Sequence, residues 1–282
     1  YRFHANGNCI ILGGTNLAWM TGLIADEIRE VLGIQTPRVA ILGEKALWAE
    51  EVATGFRSAS SVAGVELVGE WWPSPMATDV TAELTAMKAA GAHIIFQIYT
   101  GPVGIPTAKQ WYDLQIPAQL AGVNALMFVF NPYWEATKAN YSVTADFASI
   151  TPGGIPVTPK SIPFWEKHMD RWGELASYLP CASYDAVYIW KEAVERAGTF
   201  SSDVAVSELE RTDYIGANGR YVFHPPTREL DIAKLTHDYT AGKGYITGCG
   251  VQAIDGKLNL IWPVKDWPKE WGLEYEGTVP YQ

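Results

Sequence analysis

The stretch RVAILGEKALWAEEVATGF (38–56) opens with an apolar, β-branched run that is typical of a buried strand. Apolar residues at helical spacing then predict a helix over about 46–59. The run 65–69 predicts a second strand, Asp79 caps a further helix, and HIIFQI (93–98) predicts a third strand. Strands that alternate with helices in this way indicate βαβ units and a parallel sheet covered on both faces.

The same alternation extends on both sides of this stretch. Residues 16–32 carry apolar side chains every three or four positions, with Thr15 as N-cap and Gly33 after the last turn, which predicts an amphipathic helix. A predicted helix over about 105–115 leads to ALMFVF (125–130), a predicted fourth strand. We therefore expect the first ~145 residues to form one doubly wound α/β lobe.

A second region begins after SITPGGIPVTPKSIP (149–163), whose four prolines and two glycines indicate a boundary or hinge. Further helices are predicted near 162–174, 183–197 and 203–212. Two turn signals follow, an Asn-Gly turn before a strand at 220–223 and an Asp-Gly hairpin turn at 255–256.

The composition excludes several classes of function. Of the 282 residues, 48% are hydrophobic and 18% charged, which is typical of a folded chain with about two domains. The 31 acidic and 21 basic residues give a formal net charge of −10, which disfavours nucleic acid as a partner. No apolar run approaches the ~20 residues of a membrane-spanning helix, and the first residues lack the basic-then-apolar order of a signal peptide.

Known catalytic and metal-binding motifs are absent from the sequence, which contains no GxSxG, HExxH, P-loop, GxGxxG or CxxC pattern. We therefore expect no enzyme, no metal site and no cofactor. Whether Cys181 and Cys249 form a disulfide is left open. Two weaker patterns are an anion-binding turn at 13–15 (GGT) and a dyad of His237 and Asp238; a capped turn and a solvated loop explain them better.

Loops after the predicted strands are the best candidates for a binding site, because a parallel sheet opens its crevice at the carboxyl ends of its strands. Aromatic residues stand in all of these loops. The candidate ligand-contacting residues are Trp48, Tyr99, Thr100, Gly101, Asn124 and Tyr133. Simple loop packing is an equally good explanation of the aromatic residues.

Six stretches show a family resemblance by their order and spacing. They are YRF (1–3), the stretch 38–56 quoted above, DVTAELTAMKAAGAHIIF (79–96), SYDAVYIWKEAVERAG (183–198), ANGRYVF (217–223) and DGKLNLIWP (255–263). They resemble the substrate-binding proteins of branched-chain amino-acid-type ABC transporters, the Leu/Ile/Val-binding family of type I periplasmic binding proteins. The resemblance implies a two-lobe α/β fold with parallel doubly wound sheets and helices on both faces.

The resemblance also implies a domain organisation. Residues 1–147 resemble the C-terminal-type ligand-binding lobe, 148–248 the remainder of the N-terminal-type lobe, and 249–282 a hairpin and tail that return to the first lobe. The family's usual N-terminal third has no counterpart here, so the N-terminal lobe is expected to be incomplete. A separate piece that supplies this segment is one candidate partner.

Family members grip an amino acid with an aromatic residue from the loop of Trp48, with a residue from the loop Tyr99 to Gly101, and with an acidic residue that pairs with the ligand ammonium. Asn124 stands at the acidic position in this sequence. Because a neutral amide cannot neutralise a buried ammonium, we expect an amide, a carboxylate or an aromatic compound over a free α-amino acid.

The implied function is that of a periplasmic or extracellular receptor, which closes two lobes on a small molecule and delivers it to ABC permease subunits. An alternative is a sensor of the same fold that detects an amide or amino acid and regulates a response. An enzyme that uses the same cleft is a weaker alternative, because no nucleophile, base or metal cluster is visible.

Overall fold

The computed structural model describes residues 3–5, 9–128, 135–136, 143–145, 156–173, 179–225, 237–240, 245–246, 249–254 and 257–262. The chain divides into two compact units. The sheet unit comprises Cys9–Phe147, Gly250–Pro263 and Tyr275–Gln282, and the helical unit comprises Tyr1–Asn8, Ala148–Cys249 and Val264–Glu274. The identity of these units as C-terminal-type and N-terminal-type lobes stays a prediction.

The strands are β1 (Arg38–Gly43), β2 (Glu66–Trp71), β3 (Ile94–Tyr99), β4 (Gln119–Asn124), β5 (Val143–Ala145), β6 (Asp213–Ile215), β7 (Arg220–Val222), β8 (Gly250–Ile254) and β9 (Lys257–Trp262). The α-helices are α1 (Cys9–Trp19), α2 (Asp26–Leu32), α3 (Leu47–Ser60), α4 (Thr81–Ala89), α5 (Gly104–Asp113), α6 (Ser161–Trp172), α7 (Leu179–Ala197) and α8 (Ser202–Leu209). A π-helical segment (Met20–Ala25) joins α1 to α2, and a 3-10 turn (Ala125–Phe128) follows β4.

The sheet unit is built on a seven-stranded sheet of order β2-β1-β3-β4-β5-β8-β9. The first five strands in that order are parallel, and the β8–β9 hairpin extends the edge by antiparallel pairing with β5. Strands β3 and β4 are buried along their whole length, as expected for a sheet covered on both faces. The predicted α/β fold with a doubly wound parallel sheet is confirmed.

The prediction of a strand at 125–130 is wrong, because the strand is β4 and residues 125–128 form the 3-10 turn. The segment QLAGVN has little strand propensity, yet it pairs in register with β3. Gly122 permits this pairing: at φ 127°, a side chain there would overlap the Phe96 ring. Residues 129 and 130, and Tyr133 further along the chain, lie outside the described residues.

The first helix begins earlier than predicted. Residues 13–15 lie inside α1, so neither Thr15 as N-cap nor an anion-binding turn is correct. A methyl group at Gly13 would overlap the carbonyl oxygen of Val52 on α3 and would lie 2.9 Å from the backbone nitrogen of Phe56. The glycine therefore serves helix packing and not a turn. Gly33, with φ 69°, ends α2 as predicted.

The helical unit holds its Asn-Gly turn with a buried carboxylate. The oxygens of Asp185 on α7 accept hydrogen bonds from the backbone N–H groups of Ala217 and Asn218, each at 2.8 Å. This turn joins β6 to β7, which pair in antiparallel fashion. An apolar core formed by α7, α8 and this hairpin includes Tyr214, Tyr221, Phe223 and Ile189.

His237 and Asp238 form no dyad, and the expectation of a solvated loop is also wrong. Both residues are buried, and each has a different partner. The His237 ring nitrogen Nε2 lies 2.9 Å from Glu210 Oε1, whereas Asp238 pairs with His4. The backbone of His237 is left-handed, with φ 63°.

Candidate functional site

The strand order places a switch point at the carboxyl ends of the parallel strands. Strand β1 lies between β2 and β3, so the order of the parallel strands reverses at β1 and β3. In open parallel sheets, the loops that follow the two strands at such a reversal separate and leave room for a ligand. The loop after β1 begins at Glu44 and the loop after β3 begins at Thr100. These two loops frame the candidate site.

The carboxylate of Glu44 joins the two loops. Its Oε1 accepts hydrogen bonds from the Trp48 indole N–H and the Thr100 hydroxyl, both at 2.8 Å. Its Oε2 accepts from the backbone N–H groups of Thr100 at 3.2 Å and Gly101 at 2.7 Å. Glu44 is only 3% exposed. Hydrogen bonds to a charged group contribute about 1.5–3 kcal/mol each, which offsets the cost of burying a carboxylate without a cation.

Backbone hydrogen bonds also connect the loop after β2 to the loops after β1 and β3. The N–H of Lys45 donates to the Pro73 carbonyl at 2.8 Å, and the N–H of Val103 donates to the Pro75 carbonyl at 3.1 Å. A methyl group at Gly101 would lie 2.8 Å from Glu44 Oε2 and equally close to the Pro75 carbonyl oxygen. The loop after β3 therefore reaches its partners because residue 101 has no side chain.

Trp48 and Thr100 are the accessible members of this cluster. Trp48 lies in the first turn of α3 and is half-buried, and Thr100 is exposed. The polar atoms of both side chains are directed at Glu44. The indole ring and the threonine methyl group are therefore the parts that remain for contact with a ligand.

Tyr99 and Asn124 lie side by side on β3 and β4, and both are fully buried. The Asn124 amide nitrogen donates to Gln97 Oε1 at 3.2 Å and to the Gly104 carbonyl at 3.1 Å, and its oxygen accepts from the N–H of Leu126 at 3.2 Å. The Tyr99 hydroxyl has no hydrogen-bond partner among the described residues. Burial raises the pKa of this hydroxyl well above its usual range.

The structure brings three predicted site residues, Trp48, Thr100 and Gly101, together around one carboxylate. Tyr99 on β3 and Asn124 on β4 are paired neighbours in the sheet, and both are buried. That these residues bind a ligand stays a prediction. The sequence-based prediction omits Glu44, although a signal exists: an acidic residue directly after a buried strand, four positions before a tryptophan.

The part of the chain that the structure describes has neither a metal-binding cluster nor a membrane-spanning helix. No group of three or more His, Cys, Asp or Glu side chains there is arranged to hold a metal ion. None of the described helices is both long enough and apolar enough to cross a membrane.

A family model for periplasmic binding proteins matches residues 4–242. The chain therefore belongs to the periplasmic binding protein family. Members of this family and the solved proteins of this fold are solute-binding proteins and not enzymes. No curated protein sequence matches the chain.

Solved structures share the fold at low sequence identity. A protein described as a branched-chain amino acid ABC transporter from Silicibacter pomeroyi is 16% identical with a TM-score of 0.74, over 99% of this chain and 70% of its own. A solute-binding protein from R. palustris in complex with benzoate is 10% identical with a TM-score of 0.70, over 92% and 64%. The Streptococcus pneumoniae branched-chain amino acid transporter substrate-binding protein LivJ, in complex with isoleucine, is 17% identical with a TM-score of 0.67, over 93% and 67%. The chain thus spans about two thirds of the length of these relatives.

Proposed function

We propose that this protein acts as an extracytoplasmic solute receptor that binds a small molecule and delivers it to ABC permease subunits. Membership of the periplasmic binding protein family supports this class of function. The observation that carries the proposal is the position of the Glu44 cluster, which ties two loops at the point where strand order reverses. Ligands of open parallel sheets bind at such reversals.

The proposed solute is an amino acid, an amide or an aromatic carboxylate. The half-buried ring of Trp48 suits an aliphatic or aromatic group, because flat apolar surfaces line most small-molecule sites. Asn124 is neutral and fully buried, so it offers neither charge nor access to a ligand ammonium, which favours amides and aromatic carboxylates over free amino acids. Benzoate and isoleucine, which occupy two solved relatives, both fall within this range.

The exposure of each predicted site residue decides which of them we assign as direct contacts of the solute. Trp48, Thr100 and Gly101 contact the solute directly, because they reach the surface of the sheet edge. Tyr99 and Asn124 support them from the buried layer beneath. Tyr133, which follows β4 in the sequence, is proposed as a further contact.

Calorimetric titration with benzoate, benzamide, leucine and isoleucine tests the proposal, after native mass spectrometry has identified any solute retained through purification. We expect saturable binding of at least one probe at one site. Trp48→Ala is expected to weaken that binding by about tenfold or more, since burying an aromatic side chain contributes roughly 1.5–3 kcal/mol.

Trp190→Ala is the matched control, because Trp190 lies on α7 in the helical unit and is 45% exposed. It is expected to leave the affinity unchanged. Equal effects of the two substitutions would remove Trp48 from the site. The absence of both a retained solute and binding of any probe would contradict the proposed class of function.

A further inference from the structure

The donors around Glu44 form a complete binding set for an anion. Two consecutive backbone N–H groups, of Thr100 and Gly101, converge with a hydroxyl and an indole N–H. Consecutive backbone N–H groups of this kind commonly bind carboxylate and phosphate anions. In this protein the anion comes from the chain itself, from a residue 56 positions before Thr100.

Because the Glu44 carboxylate already accepts from these donors, they are not available to a solute. Each of the four donors already has an acceptor at 2.7–3.2 Å, and all four are neutral groups. A solute carboxylate that approached Trp48 and Thr100 would therefore meet no unoccupied donor in this set, and it would be repelled by the buried carboxylate. With these donors occupied, the half-buried Trp48 and the exposed Thr100 offer a solute the indole ring and the threonine methyl group.

We propose that Glu44 is a positioning residue of the solute site: its carboxylate occupies these donors, orients the Trp48 ring and the Thr100–Gly101 loop, and so makes this edge select the uncharged part of the solute. The inference rests on the proposed function and deepens it, since it states which part of the solute this edge binds. Glu44 itself acts through Trp48 and Thr100 and need not touch the solute.

Glu44→Gln tests the orientation. The glutamine amide has the same shape as the carboxylate, but its NH2 group cannot accept hydrogen bonds. Two of the four donors would therefore face an NH2 group instead of an oxygen. We expect the dissociation constant of the tightest-binding probe among isoleucine, leucine, benzamide and benzoate to rise by about tenfold or more. The indole resonance of Trp48 in a ¹⁵N spectrum, assigned with Trp48→Phe, is expected to shift as its acceptor is lost.

Glu50→Gln is the matched control. It makes the same change of charge on an exposed carboxylate in the first turn of α3. We expect less than about a twofold change in affinity and no shift of the Trp48 indole resonance, because an exposed charge in water interacts weakly.

Glu44→Ala tests the anion site without any solute. The substitution leaves space beside the donors, and sodium formate is small enough to enter it. We expect formate to raise the unfolding temperature of Glu44→Ala in a concentration-dependent way, and to have no such effect on the wild type or on Glu50→Gln. Formate is also expected to restore part of the lost solute affinity.

The outcomes separate this inference from the proposed function. If the wild type retains no solute and binds none of the probes, the proposed function is contradicted, and the Trp48 resonance and the formate response still decide the role of Glu44. If the wild type binds a probe and Glu44→Gln binds it equally well with an unchanged indole resonance, the positioning role is wrong. Should Glu44→Ala fail to fold, the Glu44→Gln measurements decide alone.

Discussion

Gly13 on α1 lies against the backbone of Val52 on α3 so closely that no side chain fits between them. A second glycine, Gly55 on α3, lies equally close to the carbonyl group of Ile10 on α1. The two helices therefore approach each other through reciprocal glycines, which lets their backbones come nearer than larger residues would allow. Helix α3 in turn covers one face of the parallel sheet. The Phe56 ring of α3 stacks on the Phe96 ring of β3, with 4.6 Å between the ring centroids.

Gly13→Ala is expected to destabilise the fold. The added methyl group would force α1 away from α3, and overpacking of this kind costs about 1–3 kcal/mol. Gly14→Ala is the matched control, because a methyl group there would have no atom within 4 Å. In a helix interior, alanine is favoured over glycine by roughly 0.5–1 kcal/mol, so this control should be stabilised. Urea unfolding of both variants measures the difference, and equal effects would contradict the close approach.

The buried carboxyl group of Asp185 is expected to make the free energy of unfolding depend on pH. Burial raises the pKa of Asp185 to about 6, although the N–H groups of Ala217 and Asn218 and the charge of Lys160 act in the opposite direction. Between about pH 4 and pH 6 the folded state therefore holds a proton that the unfolded state has released, and stability falls as pH rises through this range. By linkage the loss is about 3 kcal/mol in total.

Asp185→Asn removes this titration, so its free energy of unfolding relative to the wild type should rise by about 2 kcal/mol between pH 4 and pH 7. The asparagine keeps one acceptor for the turn, which allows the variant to fold. Chemical unfolding at several pH values gives the comparison. A constant difference between the two proteins would show that Asp185 titrates alike in the folded and unfolded states.

Tyr99→Phe is expected to be neutral or stabilising, by up to about 1 kcal/mol, because it removes a buried hydroxyl that has no partner among the described residues. Tyr221→Phe is its control. The Tyr221 hydroxyl is also fully buried, but it accepts from Asn218 Nδ2 at 3.2 Å and donates to the Ala5 carbonyl at 3.4 Å. Its removal should cost about 1 kcal/mol. Thermal unfolding distinguishes them, and a clear loss in Tyr99→Phe would reveal an unseen partner.

Asn124→Asp is expected to lower stability at neutral pH. The new carboxylate oxygen would face the Gly104 carbonyl and Gln97 Oε1, both of which now accept hydrogen bonds from the amide. Gln97 can turn its amide and donate, but the Gly104 carbonyl cannot, so we expect a loss of about 2 kcal/mol. The loss should shrink at low pH, where the protonated carboxyl can donate to that carbonyl. A full loss at both pH values would contradict this explanation.

Much of the fold can be predicted from local patterns. The apolar runs of β1 and β3 are long, β-branched and bounded by charged or small residues, so they read as buried strands without any knowledge of their neighbours. Gly33 ends α2 as predicted, because a left-handed cap depends on adjacent residues alone. The predicted cap of α4 is one residue off: the N-cap is Val80, and the Asp79 carboxylate accepts from the N–H of Thr81 at 2.9 Å.

Strand β4 and the start of α1 could not be predicted in this way. QLAGVN is a strand because β3 supplies its hydrogen bonds and burial, and Gly122 serves the approach of two strands. Gly13 looks like a turn residue in sequence, yet it lies inside a helix because α3 packs there. In both cases a neighbour that is distant in sequence overrides local propensity.

The sequence by itself determined the alternation of strands and helices, the α/β class and the loops in which a site would lie, because hydrophobic periodicity and capping act over a few residues. Only the tertiary structure decided that Glu44 joins two of these loops through its hydrogen bonds. A carboxylate is stable in the interior only where donors surround it, and three of its four hydrogen bonds come from a loop more than fifty residues away. The parallel pairing of β1 with β3 brings that loop to Glu44.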